Sequence, residues 1–233
     1  MIAQYESQYE SQYESHHNGS PILVRNMCSD RIRRNDLVIF QEIVRLNPQI
    51  SLEKIKYRTI LDKNNYIKKL NLSHCGLTIL PDNINKLFIK NPINLDLSYN
   101  QLTELPEIRM IIGSLNLSYN NITELSESFC DYIVIGNLDL SHNRLETLSE
   151  SFGNLEIGGN LDLSHNRLET LPESFGNLDE IGGNLDLSHN RITLLPESFG
   201  SLKIGGSLYI NDNKLTELPE SFGNIEIQNS VYT

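Results

Sequence analysis

The 233-residue sequence predicts an α/β repeat solenoid, with short parallel strands on one face, preceded by a small helical N-terminal cap. Three observations predict it. Leucine occurs 35 times and asparagine 27 times, a bias that one short, reused pattern produces. From residue 70 onward the pattern L-x-L-x-x-N-x-L-x-x-L-P returns every 20–25 residues, and such a period is one coil of a solenoid with one strand per coil. Residues 20–69 instead carry apolar residues at helical spacing. With 39% hydrophobic and 21% charged residues, the chain can fill a core and is not disordered throughout.

Residues 1–19 contain Gln-Tyr-Glu-Ser three times, from Gln4 to Ser15. Gln, Glu and Ser cannot bury the tyrosines, so this reads as a disordered tail, with tyrosine phosphorylation as the sharper alternative. In residues 20–69, Asn35-Asp36 is expected to cap a helix over Leu37–Leu46, with Ile39, Phe40, Ile43, Val44 and Leu46 inward. Asn47-Pro48 stops it. Ser51 caps a second helix expected to reach about Leu61, with Leu52, Ile55 and Ile60 or Leu61 inward.

Residues 70–233 hold the repeats, seven plus the first strand of an eighth. They begin at Leu70, Leu95, Leu115, Leu138, Leu161, Leu185 and Leu208, and Val231 starts the last strand. Leu161 and Leu163 point inward and Asp162 outward by strand alternation. An Asn closes each strand's bend: Asn100, Asn120, Asn143, Asn166, Asn190 and Asn213, with Cys75 in the first copy. Turned inward, its amide can satisfy backbone groups that the bend leaves unpaired. Phe129, Phe152, Phe175, Phe199 and Phe222 recur once per coil and should stack as a spine on the far side. Glycines such as Gly158 precede each strand and suggest a tight turn. The last copy carries no helical or cysteine-rich cap, so an exposed strand edge is expected there.

These motifs identify residues 70–233 as similar to the leucine-rich repeat family. The resemblance implies a leucine-rich repeat horseshoe whose concave strand face binds proteins, and it admits Asn or Cys at the ladder position. The Asn-, Ile- and Lys-rich style, with its Ile-Gly-Gly-Asn-Leu segments, resembles the leucine-rich repeat proteins encoded by giant DNA viruses of amoebae. That implies a host-cell cytoplasm and no assigned activity.

Outward positions on the strand face carry two stripes. Asp139, Asp162 and Asp186 stand between the paired leucines; Tyr99, Tyr119, His142, His165 and His189 stand two places past the second leucine. Together they are the expected partner-binding surface. Asp, Ser and His in every central copy invite a hydrolase reading. It fails because each serine follows leucine in a regular strand, not a strained elbow, and because three near-identical copies leave no differentiated site. A divalent cation could relieve the carboxylates, but a solvated polar face, eased by histidines that charge near pH 6, is the plainer reading. No enzyme activity, cofactor or metal is assigned. Gly-Gly pairs without a following Lys-Ser/Thr are architectural.

Charge is uneven. Residues 20–69 carry 11 basic and 5 acidic side chains; residues 70–233 carry 8 basic and 22 acidic. With a net charge of −11, nucleic acid is not expected as a partner, and a protein with a basic surface is. No apolar run spans a membrane and the N-terminus is no secretory signal. Cys28, Cys75 and Cys130 show no disulfide or metal spacing, so a reducing, cytoplasmic setting is expected. Two alternatives come from other classes. Residues 20–69 could be a degenerate F-box-like element of a ubiquitin-ligase adaptor, although a Leu-Pro start is lacking. The open C-terminal end could drive self-association.

Overall fold

The computed structural model describes residues 31–88, 91–106, 111–131, 133–178 and 180–233. The Gln-Tyr-Glu-Ser segment and Cys28 lie outside the described residues.

Helix α1 spans Arg34–Leu46 and buries Ile39, Phe40 and Ile43. Its N-cap is Arg33, without a side-chain cap bond, rather than the expected Asn35-Asp36. Asp36 lies in the first turn, almost wholly buried, where Arg33 holds its carboxylate at 3.1 and 3.2 Å. A short helix, α2 (Leu52–Tyr57), follows, and Ser51 does cap it by accepting from Lys54 N–H at 3.1 Å. It stops four residues short of Leu61. Strand β1 (Thr59–Leu61) pairs antiparallel with β2 (Ile67–Asn71), which leaves Ile60 exposed. The reason is the turn between them. Asp62 Oδ1 accepts the N–H groups of Asn64 and Tyr66 at 2.8 and 2.9 Å, closing a hairpin that a helix would forgo. Among the described residues, the cap is therefore two helices and an edge strand.

Parallel strands then follow one per coil: β3 (Asn94–Asp96), β5 (Leu115–Asn116), β7 (Leu138–Asp139), β9 (Leu161–Asp162), β10 (Leu185–Asp186), β12 (Leu208–Tyr209) and β14 (Val231–Tyr232). With β1 and β2 they make a nine-stranded sheet in the order β1-β2-β3-β5-β7-β9-β10-β12-β14. Equivalent leucines pair in register, Leu138 with Leu161 and Leu161 with Leu185, and their side chains are fully buried. On the far side six of the coils show a 3-10 turn among the described residues, such as Glu173–Asn177. Phe152, Phe175, Phe199 and Phe222 stack there with centroids 5.7, 5.9 and 6.3 Å apart. Phe222, in the final coil, is the one of these four not buried.

A second set of coil-to-coil pairings runs beside the sheet. Strands β4 (Ile111–Ile112), β6 (Ile133–Val134) and β8 (Glu156–Ile157) pair in parallel, as do β11 (Lys203–Ile204) and β13 (Glu226–Ile227). The adjoining glycines lie in the bends that lead into the strands, as the sequence suggested, and they also serve this contact. A Cβ on Gly158 would lie 2.2 Å from the carbonyl oxygen of Ile135, while Gly158 N–H donates to Val134 O at 2.8 Å. Glycine here admits close approach of two backbones.

Candidate functional site

The inward Asn side chains form a continuous ladder under the strand ends. Asn166 Oδ1 accepts from Leu145 N–H of the preceding coil at 3.0 Å. Its Nδ2 donates to Leu140, Leu163 and Ser164 carbonyls at 2.9, 3.1 and 3.2 Å. Asn100, Asn120, Asn143, Asn190 and Asn213 repeat the arrangement. Cys75 cannot donate in this way. Arg58, at the end of α2, reaches in instead and donates to Ser73 O at 2.6 Å, while Cys75 Sγ lies 3.3 Å from the same oxygen. Burial raises the Cys75 thiol pKa above its ordinary value, against the opposing pull of Arg58 and Lys54.

The Ser ladder is tied to the strand carboxylates. Ser141 donates both N–H (3.0 Å) and O–H (2.7 Å) to Asp139 Oδ1; Ser188 does the same to Asp186. Ser164 N–H donates to Asp162 Oδ1 at 2.9 Å. The serines are buried and the aspartates half-buried. Hydroxyls that donate to Asp are not poised toward histidine, so the Asp-Ser-His triplets form no proton relay. Among the described residues, no three His, Cys, Asp or Glu side chains are gathered to hold a metal ion. Asp162 stands in register between Asp139 and Asp186. Its pKa is raised by burial, against the Ser164 bonds, with a smaller upward push from those two carboxylates.

The ring stripe is more ordered than a solvated face. His74, Tyr99, Tyr119, His142, His165 and His189 stack face to face as one column, with successive centroids 4.2, 4.1, 4.0, 4.1 and 4.2 Å apart. Each of these residues sits in the left-handed region, with φ between 52° and 55°. The bend that sends the following Asn inward sets that angle, and its repetition lays one ring on the next. Past His189 comes Asp212, whose carboxylate lies 3.4 Å from His189 Nε2. A shallow groove runs along the column, lined by His74, Tyr99, Tyr119 and His142 together with Asn121.

All eight expected binding residues therefore lie on one face, in two adjoining stripes. The sequence reading has histidines relieve the carboxylates, and at His142 the aspartate is the weaker influence. Burial lowers its pKa, His165 lowers it further, and Asp139 does not compensate. Sequence reasoning missed the stacking, the 3-10 turns, and a second side-chain ladder at the strand entries. There Asn137 Oδ1 accepts from Asn160 N–H (2.9 Å) and Asn160 Oδ1 from Asn184 N–H (2.8 Å). The recurrent Asn before each Leu-Asp-Leu was the available signal.

The leucine-rich repeat family model matches residues 66–87, 112–132, 136–155, 160–178 and 184–202. A comparison with curated protein sequences gives no match. Among solved structures, the PEPR1–AtPEP1 complex is similar at 22% identity and a TM-score of 0.57, over 85% of this chain and 32% of that one. The Toll–Spatzle complex of Drosophila is similar at 20% and 0.52, over 74% and 26%. YopM, a leucine-rich effector protein from Yersinia pestis, is similar at 24% and 0.52, over 84% and 60%. The chain thus spans between about a quarter and three-fifths of the length of these neighbours, whose likeness is one of fold. Repeat motifs, parallel ladder and neighbours agree on the fold: the chain is a leucine-rich repeat solenoid.

Proposed function

We propose that the protein is a non-enzymatic scaffold that binds a protein partner across the strand face, through Tyr99, Tyr119, the column His142, His165 and His189, and the row Asp139, Asp162 and Asp186. The observation that carries the reading is the stacked column: large rings held in fixed register on a rigid sheet, with Tyr99 and Tyr119 45% and 41% exposed. Rigid, half-exposed aromatic side chains give contact area at little cost in side-chain entropy. Two neighbours of this fold, Toll with Spatzle and PEPR1 with AtPEP1, occur in complexes, which supports the class of function. The net charge of the repeats favours a partner with a basic surface. A host-cell cytoplasm as place of action rests on the Asn-, Ile- and Lys-rich repeat style.

Affinity capture from the native cell, followed by measurement of Kd with the purified captured protein, tests the reading. Asp139→Lys, Asp162→Lys and Asp186→Lys together should weaken binding at least tenfold while circular dichroism shows the fold retained. An unchanged Kd in the folded triple variant sinks the strand-face assignment.

A further inference from the structure

The column His142–His165–His189 places three imidazoles face to face, with centroids 4.1 and 4.2 Å apart. Neutral imidazoles stack without penalty; adjacent imidazolium rings at that separation repel, and more strongly where water is partly excluded. The groups around them do not cancel this evenly. Asp139, Asp162 and Asp186 stand in the neighbouring stripe, but each spends an Oδ1 on serine. Asp212 reaches only the His189 end, at 3.4 Å. Arg144, Arg167 and Arg191 follow the ladder asparagines and are exposed; Arg167 reaches Glu146 at 3.9 Å. Tyr119 closes the other end of the histidine run at 4.0 Å from His142, with Tyr99 and His74 beyond. The histidine run therefore cannot hold three protons and remain stacked.

We propose that this column is a proton-operated part of the binding face: stacked at neutral pH, and opened at its histidine end when acid puts charge on adjacent rings. Its functional meaning rests on the docking surface proposed above. Opening removes the flat edge on which a partner would lie, and the added positive charge repels a basic one. The lowering of His142 by burial and by His165 agrees with the geometry.

The test is an NMR titration of the full chain from pH 8 to 4.5, without any partner, reading the His142 ring protons and the ring-current shifts of Tyr119. His142 should titrate below the ordinary imidazole value, and Tyr119 should lose its stacking shifts in acid. In His165→Phe, which keeps a ring and removes a charge, the His142 midpoint should move up toward that value and Tyr119 should keep its shifts. His165→Tyr serves if the Phe variant does not fold. Tyr119 shifts that survive at pH 4.5 in the unmodified chain, or a His142 midpoint indifferent to residue 165, overturn the proposal. Because no partner is present, failure here leaves the docking reading to its own binding experiment, and failure there leaves this titration standing.

Discussion

Asp162→Asn should stabilise the protein at neutral pH and lose that advantage in acid. Asp162 lies in register between Asp139 and Asp186, on strands about 4.8 Å apart. Two unit charges about 5 Å apart repel by about 0.8 kcal/mol at the dielectric of water; partial burial increases that and salt reduces it. Two such neighbours give a net gain of about 1 kcal/mol on removing the central charge, or a Tm rise of about 2–4 °C for a chain of this size. The amide can do the carboxylate's structural task, because Asn116 already does it one strand away from Asp139. Its Oδ1 accepts Ser118 N–H and O–H at 3.0 and 2.7 Å. The sign follows from linkage. The folded-state pKa of Asp162 is raised, so the group contributes stability below its unfolded pKa, near 3.9, and loses it as pH rises through the folded value. Urea denaturation of both proteins at pH 7 and pH 3.5 measures this. A less stable Asn variant at pH 7, or a difference that does not change with pH, refutes the reasoning.

Other predictions follow from the packing between coils. A Cβ on Gly176 would lie 2.0 Å from the carbonyl oxygen of Ser198, whereas nothing lies within 4 Å of the same place on Gly223. Gly176→Ala should therefore cost about 1–3 kcal/mol in urea denaturation and Gly223→Ala almost nothing. Asn166→Ala removes the partner of one buried N–H and of three carbonyls, and should cost more than about 3 kcal/mol by the same assay. Cys75 should resist thiol reagents at pH 8 in the folded chain and react on unfolding, as its buried thiol favours the protonated form.

The leucines and ladder asparagines were legible because the same residue returns at the same place in each coil: burial explains the leucines, and the backbone groups buried at the bend explain the asparagines. The cap was half legible. Ser51 marked a helix start, but Thr59-Ile60-Leu61 continues an apolar pattern that suits helix or strand. The choice fell to the Asp62 turn and to the edge of β2, with which β1 pairs. Arg58 standing in for an Asn amide at Cys75 was illegible for a similar reason: its contact with Ser73 crosses 15 residues of chain. The binding stripes were legible as positions and not as a stack. Nothing in a His or Tyr announces positive φ, and only the bend common to every coil fixes the rings' direction.

That positive φ is where the site can be separated from the scaffold. A non-glycine residue there carries strain of about 1 kcal/mol or more, which glycine would relieve. Yet His74, Tyr99, Tyr119, His142, His165, His189 and Asp212 all occupy it. For six of them, stacked rings are an offset: each contact is worth about 0.5–1.5 kcal/mol. His165 makes two such contacts and Asp212 makes none, keeping an exposed ion pair and an exposed hydrogen bond from Asn211 Nδ2 at 2.7 Å, both of little worth. In His165→Gly, relief of strain should be outweighed by two lost contacts and by the unfolded-state entropy of glycine, for a net loss of about 1–2 kcal/mol. Asp212→Gly should be near neutral. The two differ in urea midpoint at pH 7 only if the column itself is cohesive. Equal midpoints would mean that the rings merely lie along the face, and that the strain in the bends is maintained by backbone bonds such as His165 N–H to Ser188 O at 3.0 Å.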